Sequence, residues 1–143
     1  MVEKLSLQVW EIIDKARNEK TKKGKITALQ QHECWALKDL LKGTYDDIVR
    51  WNLPPGTPPY EPNKEESTPS SLHKHHQKFK YFVKGLEGDK LPGVRREKIF
   101  IDMLEAIHHK DAELIITMKD KESIGGGITK KLVQEAFPNL IQK

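Results

Sequence analysis

The sequence VRREKIFIDMLEAIH, residues 94–108, is the most hydrophobic helical pattern in the chain. Ile99, Phe100, Met103, Leu104 and Ile107 recur at spacings of three and four residues, which places them on one face of a helix. A face this wide and this apolar needs packing partners on several sides. The stretch therefore predicts a helix at the centre of a hydrophobic core.

Weaker patterns of the same kind lie on both sides of this stretch and predict an all-α fold. Helices are expected over 5–18, over 25–42 as one or two helices, over 68–84, over 111–119 and from 129 until Pro138, with a helical turn over 46–51. No stretch of useful length alternates as a strand would. The chain, residues 1–143, is predicted to be a single compact domain of about six helices. The expected caps are Gly43 as a C-cap, and Thr68 with Pro69 behind it, Asp111 and Thr129 as N-caps.

A proline-rich segment, about residues 52–67, interrupts the helical pattern near its middle. Six of the eight prolines fall within the sixteen residues 54–69. Proline fixes φ and lacks a backbone donor, so the segment is predicted to be extended. It is either a flexible linker between two helical halves or a strap laid across the domain. Trp51, Leu53 and Tyr60 are apolar anchors near its ends and favour the strap.

Composition limits the class of protein. The chain has 143 residues, a net charge of +4 and one cysteine, Cys34. A single thiol cannot form an internal disulfide, and this fits a reducing compartment. The first residues, MVEKL, do not resemble a signal peptide, and no apolar run reaches the length of about 20 residues that spans a bilayer. We therefore expect a cytosolic protein with no membrane partner.

Residues 71–98 are the one segment that suggests a ligand. They contain eight Lys or Arg residues against three Asp or Glu residues, interleaved with aromatic side chains. On a helix Phe79 and Phe82 would face the core, and Tyr81 would point outward among lysines. Cations spaced along a surface bind phosphates, and exposed rings stack on bases; a solvated lysine face is the alternative. The predicted nucleic-acid-binding residues are Lys74, Lys78, Lys80, Tyr81, Lys84, Arg95 and Arg96.

A second candidate is the glycine-rich loop that leads into the last helix. Backbone N–H groups at such a position can hold an anion, with lysines adding charge. The candidate anion-binding residues are Gly126, Gly127, Lys130 and Lys131. The spacing does not match a phosphate-binding loop, and a flexible loop with an ordinary cap is the alternative. Residues 111–137 also have the outline of a helix–turn–helix, with a loop that is long for that motif.

Neither metal binding nor catalysis is predicted. The histidines His32, His73, His75, His76, His108 and His109 show no recognised spacing of metal ligands. No nucleophile elbow is present, and His32 and Cys34 stand two positions apart, where helical side chains do not face each other. The sequence thus indicates a binding protein without a cofactor rather than an enzyme.

Seven short stretches, taken together, resemble one protein family. They are WNLP at 51–54, PPY at 58–60, FKYFVKG at 79–85, RE at 96–97, LE at 104–105, MKDK at 118–121 and TKKLVQEAFP at 129–138. In this order they are similar to a family of small uncharacterised proteins of tailed phages, myoviruses that include those of cyanobacteria and marine bacteria. The similarity covers about residues 20–141, whereas the glycine-rich stretch and HKHH at 73–76 look peculiar to this chain. The resemblance implies a phage protein made in the cytoplasm of a bacterial host, with the virion as the alternative location, and assigns no residue a role.

Two functions are compatible with these observations. The first is a non-enzymatic phage accessory protein that binds nucleic acid, or an anionic surface of a nucleic-acid-handling protein of host or phage, through the basic helical face. The second is a structural or assembly protein of the virion that acts through protein–protein contacts of the strap and the C-terminal helices. Exposed apolar side chains at Trp51, Tyr60 and Leu140 would favour the second.

Overall fold

Seven α-helices and two 3₁₀ helices form the secondary structure of residues 8–62 and 72–141, the part of the chain that this computed structural model describes. The α-helices are α1 (Val9–Asn18), α2 (Lys22–Gln31), α3 (Trp35–Tyr45), α4 (Leu72–His75), α5 (Gly93–Ala106), α6 (His109–Lys119) and α7 (Lys130–Ala136). The 3₁₀ helices are the first (His76–Tyr81) and the second (Glu87–Lys90). The predicted all-α single domain is confirmed, with more helices than expected because 25–42 divides into α2 and α3.

Helix α6 packs against three other α-helices. It lies against α1, α3 and α5, and α2 packs against α1 and α7. Ala112, Leu114, Ile115 and Met118 are all buried along α6, so this helix is enclosed on more than one side. The apolar face of α5 is buried as predicted, through Phe100 and its neighbours. The prediction that α5 occupies the centre is nevertheless wrong, because α5 packs mainly on α6.

Gly43 does not cap α3. It lies inside that helix and is buried, and a Cβ atom there would come within 2.5 Å of the Trp51 ring and 2.6 Å of the Met118 sulfur. The Trp51 indole N–H also donates to the Gly43 carbonyl oxygen at 3.0 Å. Glycine is needed because a large side chain from elsewhere lies directly against the backbone. The predicted C-cap was wrong for that reason.

The basic helix predicted over 68–84 is shorter and of another kind. Its expected start, Thr68 and Pro69, lies outside the described residues. From Leu72 the chain makes one α-helical turn and then the first 3₁₀ helix, which ends at Tyr81. In a 3₁₀ helix residues three apart share a face, so Phe79 and Phe82 can both enter the core, where both are buried. The expected continuation of the α-helix to Lys84 is wrong.

The described part of the proline-rich segment, up to residue 62, is a strap. Trp51 is buried at its start, and Leu53 and Tyr60 pack against the core. The Lys119 ammonium group, whose side chain is 2% exposed, donates to the carbonyl oxygens of Pro54 and Gly56 at 2.8 Å each. These bonds give the extended backbone the partners that it lacks in the absence of secondary structure. Of the two alternatives, the described residues support the strap.

Among the remaining local predictions, the N-cap at Thr129 is confirmed, whereas the N-cap at Asp111 and the helical turn over 46–51 are wrong. The Thr129 hydroxyl accepts the Leu132 N–H at 3.2 Å, and Ile141 is buried on the core after Pro138. The N-cap of α6 is His108, not Asp111, which is fully buried instead. Residues 46–51 form a turn and a bridge rather than helix. Within the described ranges, every helix is too short and too polar to cross a membrane.

Candidate nucleic-acid interface

A short backbone bridge positions the centre of the predicted basic site. Trp51 pairs with Val83 in an isolated antiparallel bridge. The Lys84 N–H donates to the Arg50 carbonyl oxygen at 2.7 Å, and the Asn52 N–H donates to the Phe82 carbonyl oxygen at 2.6 Å. The bridge therefore brings the exposed Arg50 beside Lys84. Sequence reasoning missed Arg50, because only the tertiary pairing joins it to residues more than thirty positions away.

Asp89 fixes the loop that follows this bridge. Its carboxylate accepts the backbone N–H of Gly85 at 2.7 Å and the side-chain amide of Asn52 at 2.9 Å. These two bonds, with a smaller contribution from nearby Arg96 and Lys84, hold the pKa of Asp89 below its ordinary value. Gly85 itself has a φ of +90°, a conformation that favours glycine. The loop is thus tied both to itself and to the strap.

Arg96 has a structural role that the sequence did not reveal. Its guanidinium group donates to the carbonyl oxygens of Asn52 at 2.7 Å, Leu91 at 3.0 Å and Gly88 at 3.1 Å. One side chain thereby joins the strap, the second 3₁₀ helix and the start of α5. Arg96 was predicted to contact a ligand directly, whereas most of its donors are already engaged with the protein backbone.

The second 3₁₀ helix packs tightly on the first. A Cβ atom at Gly88 would lie 1.6 Å from the Tyr81 carbonyl oxygen, so no larger residue fits without moving backbone. Tyr81 does not project freely among the lysines as predicted, because its ring packs partly against the core, with the Lys80 ammonium group 5.4 Å from its centroid. The segment that carries the basic residues is therefore rigidly attached to the domain.

The outer part of the site consists of exposed or half-exposed cations. Burial lowers the pKa of the His75 imidazole below its ordinary value, and the positive charges of the nearby Lys78 and Lys74 add to this effect. Arg95 is exposed in the first turn of α5, which contains no acidic residue. We define the basic surface as the exposed or half-exposed cations of the basic segment and of the start of α5, together with Arg50, which the bridge places beside Lys84. They are Arg50, Lys74, Lys78, Lys80, Lys84 and Arg95.

Ion pairing divides the described cations of this chain into two groups. Among the described residues, no carboxylate lies within ion-pair distance of Arg50, Lys74, Lys78, Lys84 or Arg95. Many cations elsewhere are paired: Lys22 with Glu135, Lys38 with Glu33, Lys42 with Asp46, and Lys130 with Asp47. Three exposed lysines of the α1–α2 region, Lys15, Lys20 and Lys23, also have no partner of this kind among the described residues.

The glycine-rich loop is less suited to an anion than its sequence suggested. The Lys130 ammonium group is held by Asp47 at 3.0 Å, while Lys131 is exposed. Gly126 lies against the Arg17 side chain and Gly127 against that of Lys25, with positive φ at both glycines. The loop therefore packs on the end of α1 and on the first turn of α2, and is not an open cradle. Within the described ranges, no three His, Cys, Asp or Glu side chains gather as metal ligands would.

These features define the structural class of the protein. It is a helical domain with a proline-rich strap and a basic surface on backbone that hydrogen bonds hold in place. The chain belongs to a family of unknown function (DUF6433), whose model matches residues 12–124. The matched residues include the strap, the bridge and the whole basic surface, and they exclude Gly126, Gly127, Lys130 and Lys131. No curated protein and no solved structure matches the chain.

Proposed function

We propose that this chain is a non-enzymatic accessory protein that binds nucleic acid through the basic surface. The observation that carries the proposal is the group of cations without carboxylate partners, Arg50, Lys74, Lys78, Lys84 and Arg95, on backbone that Arg96 and Asp89 hold in place. Because this backbone is already held in place, binding of phosphates does not first have to order the chain that carries the cations. The resemblance to small proteins of tailed phages supports a role in an infected bacterial cytoplasm.

The salt dependence of binding tests this proposal. Phosphate contacts release counterions, and each contributes a slope of about −0.7 to −0.9 to the logarithm of the affinity against the logarithm of salt concentration. With five or six cations engaged, we expect a slope of roughly −3.5 to −5.4 between about 50 and 200 mM salt. Fluorescence anisotropy with labelled mixed-sequence DNA and RNA measures it. Absence of binding at about 50 mM salt would contradict the proposal.

A protein-binding function, such as virion assembly, is the second candidate, and one side chain favours it. Trp35 is 71% exposed beside a cavity of about 470 Å³ that also contacts Phe137 and Leu140. Exposed tryptophans are enriched at protein interfaces. The three residues first expected to mark such a surface give less support, since Trp51 is buried and Tyr60 and Leu140 are partly buried. Loss of a protein complex in Trp35→Ala, with nucleic-acid binding absent in the unaltered chain, would favour this candidate.

A further inference from the structure

A groove runs between the strap and α5 and opens beside the basic surface. It consists of two cavities, of about 260 and 250 Å³, that share Leu53, Pro54 and Glu97. The second cavity extends to Lys84 and Arg96. The inner cavity is mostly apolar. We call the whole the strap groove, and its inner end is lined by Leu53, Pro54, Pro58, Glu97, Phe100 and Ile101.

The two ends of the strap groove differ in chemistry. At the outer end Lys84 is exposed and has no carboxylate partner among the described residues, so an anionic group is favoured there. At the inner end most of the walls are leucine, proline, phenylalanine and isoleucine side chains, which favour an apolar or planar group, and Thr57, Glu97 and Lys119 are the polar residues among them. A cavity of about 260 Å³ is below the roughly 300–1,000 Å³ of sites for drug-sized ligands and suits a single ring system.

Glu97 lies where the two cavities meet and supplies a hydrogen-bond acceptor to the groove. It is half-buried and lines both cavities, yet within residues 8–62 and 72–141 its carboxylate has neither a hydrogen-bond donor nor an ion-pair partner. The Glu97 oxygens are not among the side-chain atoms that are buried without a hydrogen-bond partner, so they remain accessible from the groove. A ligand that offers N–H groups at this point would donate to this carboxylate.

We infer that the strap groove accepts one unpaired base of a nucleic-acid strand whose phosphates lie on the basic surface. This inference rests on the proposed function and adds a preference for single strands. Bases that are paired and stacked in a duplex cannot enter a groove unless they are flipped out. The base would lie between the strap and Ile101, Glu97 would accept from its amino edge, and Lys84 would neutralise its phosphate.

An oligonucleotide without bases separates the groove from the basic surface. A single strand with an abasic backbone carries the same phosphates as a natural strand of the same length. We expect the unaltered protein to bind the natural strand roughly tenfold more tightly than the abasic one, since buried base contacts are lost. Equal affinity for the two strands would overturn the inference and leave the proposed function standing. No binding of either strand would overturn both.

Two variants and one control test whether the advantage of the natural strand over the abasic strand arises in the strap groove. Ile101→Trp fills the inner end of the strap groove, so the difference between natural and abasic strands should vanish while the abasic strand binds as before. Glu97→Gln tests the amino edge: the unaltered protein should prefer a dC strand, whose N4 amino group donates, over a dT strand, and the variant should lose this preference. Glu122→Gln is the control: it removes one negative charge outside the groove, and this variant should keep the preference for the dC strand. A full natural-strand advantage in folded Ile101→Trp would overturn the inference.

Discussion

Reversing the charge of Lys78 and Lys84 together is expected to lower the affinity for nucleic acid at least about 100-fold near 100 mM salt. Each substitution to Glu removes an attraction to phosphate and adds a repulsion. The slope of affinity against salt should also become shallower by roughly 1.4 to 1.8, the contribution of two phosphate contacts. Anisotropy measurements with the double variant over the same salt series provide both values.

This variant has a matched control within the chain. Lys20 and Lys23 are also exposed and unpaired among the described residues, so reversing both changes the net charge by the same amount. Neither Lys78 nor Lys84 makes a side-chain hydrogen bond to the described protein, and both variants should keep the thermal stability of the original chain. Equal losses of affinity in the two double variants would mean that net charge, and not this surface, determines binding.

Replacing Asp111 with Asn is expected to remove a large part of the pH dependence of stability. Asp111 is 0% exposed. One carboxylate oxygen accepts the Trp10 backbone N–H at 2.9 Å, and the other is buried without a hydrogen-bond partner. Burial raises the pKa of Asp111 from 3.8 to about 7, opposed by the Trp10 bond and assisted by Glu11. The neutral form is therefore the one that the folded state favours.

The direction of the effect follows from linkage. The pKa of Asp111 is higher in the folded state than in the unfolded state. The stabilisation of the folded state by the neutral Asp111 side chain is therefore fully present below about pH 4 and is lost as the pH rises through about 7. A shift of about three pH units corresponds to at most about 4 kcal/mol of unfolding free energy. In Asp111→Asn this decrease should disappear, since an amide does not titrate and its oxygen can still accept the Trp10 N–H.

Urea unfolding at a series of pH values between 4 and 8 measures this difference. The comparison must be made between variants, because burial lowers the pKa of His75 and of His108 and their titration acts in the opposite direction. Asp102→Asn is the control, at an aspartate whose side chain is 59% exposed on α5. If Asp111→Asn and the original chain lose stability in parallel between pH 4 and 8, the buried carboxylate does not have the expected effect.

Apolar spacing predicted the helices well where one face of a helix is buried. The pattern of 94–108 gave α5 within two residues at each end, and Thr129 was placed correctly as a cap. Errors arose where a distant side chain decides the local structure. Gly43 has the sequence signature of a C-cap, but Trp51 packs directly against it. The α-helix expected over 68–84 changes at His76 to a 3₁₀ helix, which packs on α3 and on the second 3₁₀ helix.

The candidate site also combines residues that the local sequence predicts with residues whose role depends on distant contacts. Local charge density identified the basic segment, and Lys74, Lys78, Lys84 and Arg95 all lie on its exposed or half-exposed surface. The roles of Arg50 and Arg96 depend on the bridge and on three backbone carbonyls that come together only in the folded chain. Charge counting cannot separate a cation that binds a ligand from one that holds a loop.

The central claim is that nucleic acid lies on the basic surface, and protection of lysines from acetylation tests it most directly. The protein is acetylated briefly with and without a saturating single-stranded oligonucleotide, and modification at each lysine is quantified by mass spectrometry. The account predicts that Lys74, Lys78 and Lys84 become protected while Lys20 and Lys23 react as before. Protection of Lys20 and Lys23 instead, or no selective protection at any lysine, would contradict it.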